Sequence, residues 1–320
     1  MICSRTDVEE PKKQSKGADR FSGTVMLSAA SERYLKKQER RRRIRLVGQV
    51  ILVVILLVVA VWGFKAYQSD HHTFAWDRTV SVAVVALLDE DKSNDRFKEK
   101  KFIRRFLSES GPARRNLREV VAWMEEEFAR HVGEKRTLFD VSSRGPLKLE
   151  TPPPALPEPD ASYWEGLQAT RRFLGYFEDI KKRDELNLGQ YDVTIFVYFY
   201  DFADENRRKV FSQFDSLASR RNRFGVVYAP VTQELLGYTC AVVAHELCHV
   251  LGATDKYDGG RSVYPDGYAD PNRSPLYPQK KAEIMALGRP VSETVERPVR
   301  DLRECVVGAK TAVEMNWVGP

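Results

Sequence analysis

Hydrophobic and polar positions follow recognisable periods along most of the chain after residue 78. Residues 79–88 are apolar and β-branched on both faces, which predicts a buried strand. Residues 191–200 predict a central strand for the same reason, and residues 224–229 predict a shorter one that ends at Pro230. Apolar residues at helical spacing predict helices over residues 97–107, 117–128, 164–177, 235–251 and 305–317. Together these elements predict an α+β domain.

Two long segments lack such periods. Residues 144–162 contain six prolines, which exclude a helix or a central strand and favour a long surface loop within one domain. Residues 252–278 are rich in Gly, Pro, Asp and Tyr, and an irregular stretch of this length in a compact domain is usually functional. We therefore expect one domain over residues 79–320 that carries both a proline-rich loop and a functional loop.

Residues 46–64 form an apolar segment without a charged side chain. A helix of this length spans about 28 Å, close to the hydrocarbon thickness of a bilayer. Four arginines at positions 40–43 precede it, and the positive-inside tendency places residues 1–45 in the cytoplasm. That leading region is too long for a signal peptide. We predict a transmembrane helix in contact with membrane lipid, a stalk over residues 65–78, and an extracytoplasmic domain (periplasmic in a bacterium).

The formal net charge of +6 is unevenly distributed. Residues 1–45 hold 13 of the 51 Lys and Arg residues but only 6 of the 45 Asp and Glu residues, so the rest of the chain is nearly neutral. A basic excess beside an apolar segment indicates membrane topology, and we expect no nucleic-acid partner. The tail is polar with few aromatic residues, which predicts that it is largely disordered.

The four cysteines, Cys3, Cys240, Cys248 and Cys305, do not form a disulfide framework. Cys240 and Cys248 lie about 12 Å apart if one helix carries both, which is too far for a disulfide. Cys305 can pair with either of them. Alternatively, the three cysteines beyond the apolar segment are buried thiols.

Candidate chemistry is concentrated in the segment His245-Glu246-Leu247-Cys248-His249. Because His245 and His249 are four residues apart on a predicted helix, both side chains lie on one face and can bind one metal ion. Neutral imidazole is a good zinc ligand. Glu246 can reach a water molecule beside the metal and accept its proton without being a ligand. The apolar run that precedes the motif supports a buried helix.

The residues after the motif suggest a third ligand. Gly252 can end the helix because glycine tolerates a left-handed conformation, and Asp255 can then approach the metal from the loop. Asp258 and Glu283 are alternative third ligands. Two histidines, one carboxylate and one open position are typical of a catalytic zinc site, whereas a structural site has four protein ligands.

The run His245–Asp255 resembles the H-E-x-x-H-x-x-G-x-x-D motif of metzincin zinc peptidases, in particular the snapalysin type, which has Asp at the last position. The resemblance implies a small mixed sheet, an active-site helix, a turn that contains Met below the zinc, and a C-terminal helix. Met285, within residues 283–288, matches the turn methionine. Some metzincins have Tyr two residues later, where this chain has Leu287, so a tyrosine that stabilises the oxyanion would be Tyr257 or Tyr264.

These features predict a membrane-anchored zinc-dependent endopeptidase that binds one catalytic Zn²⁺ ion and acts on a peptide or protein, or on a cell-wall peptide. The alternative is a non-catalytic, zinc-stabilised scaffold or binding module of the cell envelope. Glu246 favours the enzyme, since a structural metal site has no need of it. Asp258, Asp266 and Asp270 are a further candidate site for Ca²⁺, although their spacing matches no known calcium loop.

Overall fold

The computed structural model describes residues 47, 49–61, 74–89, 96–108, 116–154, 162–201 and 217–319, with the side chains of residues 96–100 left out. The chain divides into two compact units, Met1–Gln68 and Ser69–Pro320. In the first unit, residues 49–61 are helical and exposed. No helix among the described residues has the length and apolarity needed to cross a membrane. The predicted tail, the ends of the predicted span at 46 and 62–64, and residues 65–73 of the stalk lie outside the described residues.

A five-stranded mixed sheet forms the centre of the second unit. Its strands are β1 (Val80–Asp89), β2 (Phe139–Leu149), β3 (Val193–Tyr200), β4 (Leu217–Ser219) and β5 (Phe224–Pro230). Their order across the sheet is β2-β1-β3-β5-β4, and all neighbouring pairs are parallel except β4 and β5. Every residue of β3 is buried, as the two apolar faces of its sequence predict. The α+β class is thereby confirmed.

Helices cover both faces of this sheet. They are α1 (Arg96–Leu107), α2 (Leu117–Val132), α3 (Tyr163–Lys181), α4 (Leu236–Leu251) and α5 (Ala309–Glu314). Alternate residues of β1 belong to different cores, because Val82 and Val84 pack with the apolar residues of α2 and α4, whereas Ala83 and Val85 pack with those of α3. Helix α4 therefore packs on one face of the sheet and α3 on the other.

The first part of the predicted proline-rich loop is an edge strand. Residues 144–149 belong to β2, which pairs with β1 alone, and the pairing register shifts between Val85 and Leu87 close to Pro146. An edge strand at an irregularity tolerates proline, since the missing N–H costs no ladder hydrogen bond there. The prediction of a loop beginning at 144 was wrong for these six positions, and residues 155–161 lie outside the described part of the chain.

The C-terminal helix is shorter than its sequence predicts. Among the described residues, six short strands follow α4: β6 (Tyr257–Asp258), β7 (Arg261–Ser262), β8 (Ala282–Glu283), β9 (Gly288–Pro290), β10 (Glu296–Pro298) and β11 (Cys305–Val306). Strand β11 pairs in parallel with β8, and α5 begins only at Ala309. Pairing with a distant strand therefore overrides the local helical spacing. Cys240, Cys248 and Cys305 are all buried and form no disulfide, so the prediction of buried thiols is confirmed for these three.

Residues 74–78, which we assigned to the stalk, contact the folded unit. Trp76 is buried, and its indole N–H donates to the carbonyl of Met315 at 2.7 Å. The side chain of Asn316 donates to the carbonyl of Phe74 at 2.9 Å. The segment just before β1 is thus attached to the segment that follows α5.

Aromatic residues on α3 differ sharply in burial. Phe177 is fully buried against Phe196 and Phe224, whereas Trp164, another apolar residue of the predicted helix, is 68% exposed. We expect Phe177→Ala to lower the free energy of unfolding by about 3–5 kcal/mol because it leaves a cavity. Trp164→Ala should change it by less than about 0.5 kcal/mol. Denaturant unfolding of the full-length chain, followed by circular dichroism, measures both, and equal losses would contradict this assignment of the core.

Candidate metal centre

The motif His245–His249 lies on helix α4, which is buried in the second unit. Fourteen of its sixteen residues are buried, including His245 and Glu246. It ends at Gly252, whose φ of 120° strains any other residue type. A Cβ atom at Gly252 would also lie only 2.9 Å from the carbonyl oxygen of Glu314. Both the backbone conformation and the close approach of Glu314 therefore require glycine at the end of the helix. The turn at Gly252 leads the chain to Asp255.

The two imidazole rings are each oriented by a backbone carbonyl. Nδ1 of His245 donates to the carbonyl of Ile284 at 3.0 Å, and Nδ1 of His249 donates to the carbonyl of Ala253 at 2.9 Å. A carbonyl can only accept, so Nδ1 carries the proton in both rings and Nε2 is the atom available to a metal ion. The ring centroids lie 4.6 Å apart and the ring planes are nearly perpendicular, at 88°. Both Nε2 atoms lie within 3.3 Å of the same oxygen, Oδ1 of Asp255, and therefore face one region of space.

Asp255 completes a triangle with the histidines. Its Oδ1 atom lies 3.1 Å from Nε2 of His249 and 3.3 Å from Nε2 of His245. Ligands of a tetrahedral zinc ion at about 2.0–2.1 Å lie about 3.3–3.4 Å from one another, so the observed separations are close to the edges of such a tetrahedron. Burial by itself would raise the pKa of Asp255, but the adjacent imidazoles of His245 and His249 hold that pKa below its usual value.

Glu246 lies beside this triangle. The carboxylate is buried, and Oε1 lies 3.9 Å from Nε2 of His245. Ligand atoms of His245, Glu246 and His249 also lie within 4.8 Å of one another, so a donor set with Glu246 in place of Asp255 is geometrically available. Oδ1 of Asp255 lies nearer to Nε2 of His245, at 3.3 Å, than Oε1 of Glu246 does, which favours Asp255 over Glu246 as the third donor of such a set. Gly225 of β5 permits this packing, since a Cβ there would lie 3.2 Å from Cβ of Glu246.

A tight turn supports the centre from the C-terminal side. Met285 is fully buried, and its carbonyl accepts a hydrogen bond from the backbone N–H of Lys256 at 3.0 Å. Glu283 accepts hydrogen bonds from the N–H of Met285 at 2.5 Å and from the hydroxyl of Thr311 at 2.7 Å. Burial raises the pKa of Glu283, although these hydrogen bonds oppose the shift. The turn that contains Met285 therefore also supplies the carbonyl, on Ile284, that orients His245.

The other candidate residues have different surroundings. The ring centroid of Tyr257 lies 6.5 Å from that of His245, so Tyr257 borders the centre. Tyr264 is exposed and packs against Tyr268 with a centroid distance of 5.3 Å. Asp258 is exposed in the hairpin of β6 (Tyr257–Asp258) and β7 (Arg261–Ser262). Within the described ranges, no metal-binding grouping includes Asp258, Asp266 or Asp270.

Sequence reasoning missed the residues that hold the loop around Asp255. Lys256 is buried and forms an ion pair with Glu314 at 2.7 Å. The two residues are 58 positions apart. The only sequence signal is a charged residue beside a candidate ligand, which does not reveal burial or a partner.

No family model and no curated protein matches the chain. Among solved structures, wild-type OgpA from Akkermansia muciniphila matches 77% of this chain and 62% of that chain, with 13% sequence identity and a TM-score of 0.33. The chain thus spans less than two thirds of the length of that protein. A similarity this weak supports no statement about function.

Proposed function

We propose that this protein is a zinc-dependent endopeptidase of metzincin type, anchored by residues 46–64 with its catalytic domain outside the cytoplasm. One observation carries the proposal. Nε2 of His245, Nε2 of His249 and Oδ1 of Asp255 converge at separations of 3.1 and 3.3 Å beside the carboxylate of Glu246. The basic residues at positions 40–43 and the apolar segment after them support the anchored topology.

The donor set suits zinc. Two imidazoles with Nδ1 bound to carbonyls and one carboxylate form a three-ligand set, which leaves one position open for water or substrate. The Asp255 side chain is 44% exposed, whereas His245 is buried, so the centre is accessible from the side of the loop. A buried carboxylate that is not needed as a ligand, Glu246, is what a hydrolytic site requires in addition.

A bound zinc ion would supply Lewis acidity, which polarises a peptide carbonyl and makes a water molecule more acidic. Glu246 accepts the proton of that water and later donates it to the departing amine. His245, His249 and Asp255 would hold the ion beside Glu246. Tyr257, which borders His245, is the candidate for stabilising negative charge on the carbonyl oxygen. The turn at Met285 holds the carbonyl that orients His245.

The full-length chain, purified in detergent, should contain one zinc ion and cleave members of a peptide library. Removing the metal with a chelator should abolish cleavage, because the proposed chemistry needs a Lewis acid. Added Zn²⁺ should restore cleavage, and added Mg²⁺ should not, since Mg²⁺ prefers six oxygen ligands. Metal analysis and mass spectrometry of the digests measure these outcomes. Cleavage that survives complete removal of metal would refute the proposal, and stoichiometric zinc without any cleavage would favour the scaffold.

A further inference from the structure

Lys256 directly follows the proposed ligand Asp255 and is only 5% exposed. Its ammonium group donates to the carbonyl of Thr254 at 2.8 Å, to the hydroxyl of Thr254 at 2.7 Å, and to Oε2 of Glu314 at 2.7 Å. An ammonium group has three protons, so these three acceptors satisfy it completely. The side chain is therefore engaged with its own loop and with α5.

Glu314, the last residue of α5, also binds Thr254, the residue before Asp255. Besides Lys256, it accepts hydrogen bonds from the backbone N–H of Thr254 at 2.9 Å and from the hydroxyl of Thr254 at 3.0 Å. Thr254 and Lys256 flank Asp255 in the chain, and both are bound to this one carboxylate. Burial would raise the pKa of Glu314, but the hydrogen bond from Lys256 and those from Thr254 lower it, so the group is ionised at neutral pH.

The helix that carries Glu314 is fixed at its other end to the turn below the centre. Glu283 accepts hydrogen bonds from the N–H of Gly308 at 3.0 Å and from the hydroxyl of Thr311 at 2.7 Å, which attach it to the start of α5. Ile284, the next residue after Glu283, supplies the carbonyl that orients His245. Consequently α5 connects the loop that carries Asp255 with the turn whose carbonyl, on Ile284, orients His245.

Packing alone does not position Asp255. The loop 253–256 has no regular secondary structure, and the side chain of Asp255 is 44% exposed. Burying a lysine and a glutamate costs desolvation energy that their attraction only partly offsets, so stability by itself is a weak reason for such a pair. The geometry of the pair is specific, because its hydrogen bonds fix the residues on both sides of the ligand.

We infer that Lys256 and Glu314 are positioning residues that hold Asp255 at the distance from His245 and His249 that a zinc ion needs. This inference rests on the proposed function, since it presumes that Asp255 is a ligand. Neither residue contacts the ion or the substrate in this role. They act through the backbone of the loop, as outer partners act on the ligands of other metal sites.

The test measures zinc affinity by chelator competition and the visible absorption spectrum of the Co²⁺-substituted full-length protein. Glu314→Gln should weaken zinc binding by about ten- to a hundredfold and alter the Co²⁺ spectrum, because loss of an outer partner typically has that effect. This variant leaves Lys256 buried without its counter-charge and can unfold. The double variant Lys256→Met/Glu314→Met removes both charges, and Thr254→Val removes only the hydroxyl, so both test the loop without leaving an unpaired buried charge.

Asp192 offers a matched control. It is 14% exposed, compared with 17% for Glu314, and it likewise binds a cation, Arg78, together with a backbone N–H and a hydroxyl, both of Ser81. Asp192→Asn should lower the unfolding temperature but leave zinc affinity unchanged. Wild-type affinity in the folded Glu314 and Thr254 variants, or an equal loss in Asp192→Asn, would overturn the positioning role and leave the proposed function standing. A wild-type chain that binds no zinc would overturn both.

Discussion

Replacing Glu246 with glutamine is expected to lower kcat by about 10²- to 10⁴-fold, the usual contribution of a general acid–base group, while the zinc content stays unchanged. Glutamine has nearly the same shape but cannot accept the proton of the attacking water. The three donors on His245, His249 and Asp255 remain in place, so the metal should stay bound. Cleavage of the best library peptide and metal analysis of the same samples measure the two effects together.

The control for this variant is Glu127→Gln. Glu127 is also a buried carboxylate, but it accepts hydrogen bonds from Arg130 and from the N–H of Val307 at 2.8 Å, and none of the proposed ligands contacts it. Glu127→Gln should lower the free energy of unfolding without a comparable loss of kcat. Full activity in Glu246→Gln would exclude the proposed mechanism. Loss of zinc together with activity would instead make Glu246 a ligand, which is the arrangement that its distance of 3.9 Å from His245 leaves available.

Asp255→Ala is expected to weaken zinc binding by more than the roughly hundredfold that loss of an outer partner causes, and to abolish hydrolysis. The reason is that Oδ1 of Asp255 lies 3.1 Å from Nε2 of His249 and 3.3 Å from Nε2 of His245, as a shared metal ligand would. Without it, two protein ligands remain, and a stable catalytic zinc site has three. Chelator competition on the purified full-length variant measures the affinity.

Asp258→Ala is the matched control, because Asp258 lies three residues after Asp255, in the hairpin of β6 and β7, and is exposed. It should bind zinc as tightly as the wild type. The reverse pattern, with normal affinity in Asp255→Ala and lost affinity in Asp258→Ala, would assign the third position to Asp258. The oxygens of Glu283, the other alternative ligand, accept hydrogen bonds from Met285, Thr311 and Gly308, which argues against that role for it.

Three elements with strong apolar periods could be predicted from the sequence to within one residue. The sequence pattern predicts strands over residues 79–88 and 224–229, and the structure has Val80–Asp89 and Phe224–Pro230. The helix predicted over residues 235–251 is Leu236–Leu251. These segments are buried on most sides, so their local hydrophobicity and their tertiary environment agree.

Predictions failed where a segment's partner lies far away in the chain. The prolines within residues 144–162 predicted a loop, but residues 144–149 pair with β1 at the sheet edge. Cys305 and Val306 read as part of a helix, but they pair with β8. Trp164 has the spacing of a core residue and is exposed. In each case the deciding contact, or its absence, is not encoded by the immediate neighbours.

The candidate metal centre likewise has some features that the sequence determines and others that only the tertiary structure determines. The sequence by itself determines that His245 and His249 share a helix face, because a residue and its fourth neighbour always do so at 3.6 residues per turn. It also determines that the helix ends at Gly252, where only glycine adopts the required backbone conformation without strain. These are short-range consequences of backbone geometry.

Tertiary structure alone decided how the centre is assembled. The carbonyl that orients His245 belongs to Ile284, 39 residues away, and the carboxylate that holds the Asp255 loop belongs to Glu314, 60 residues from Thr254. The burial of Lys256, and hence its pairing with Glu314, follows from the packing of α5 against that loop. Such contacts depend on where distant segments meet in the folded chain, and no local period of the sequence specifies that meeting.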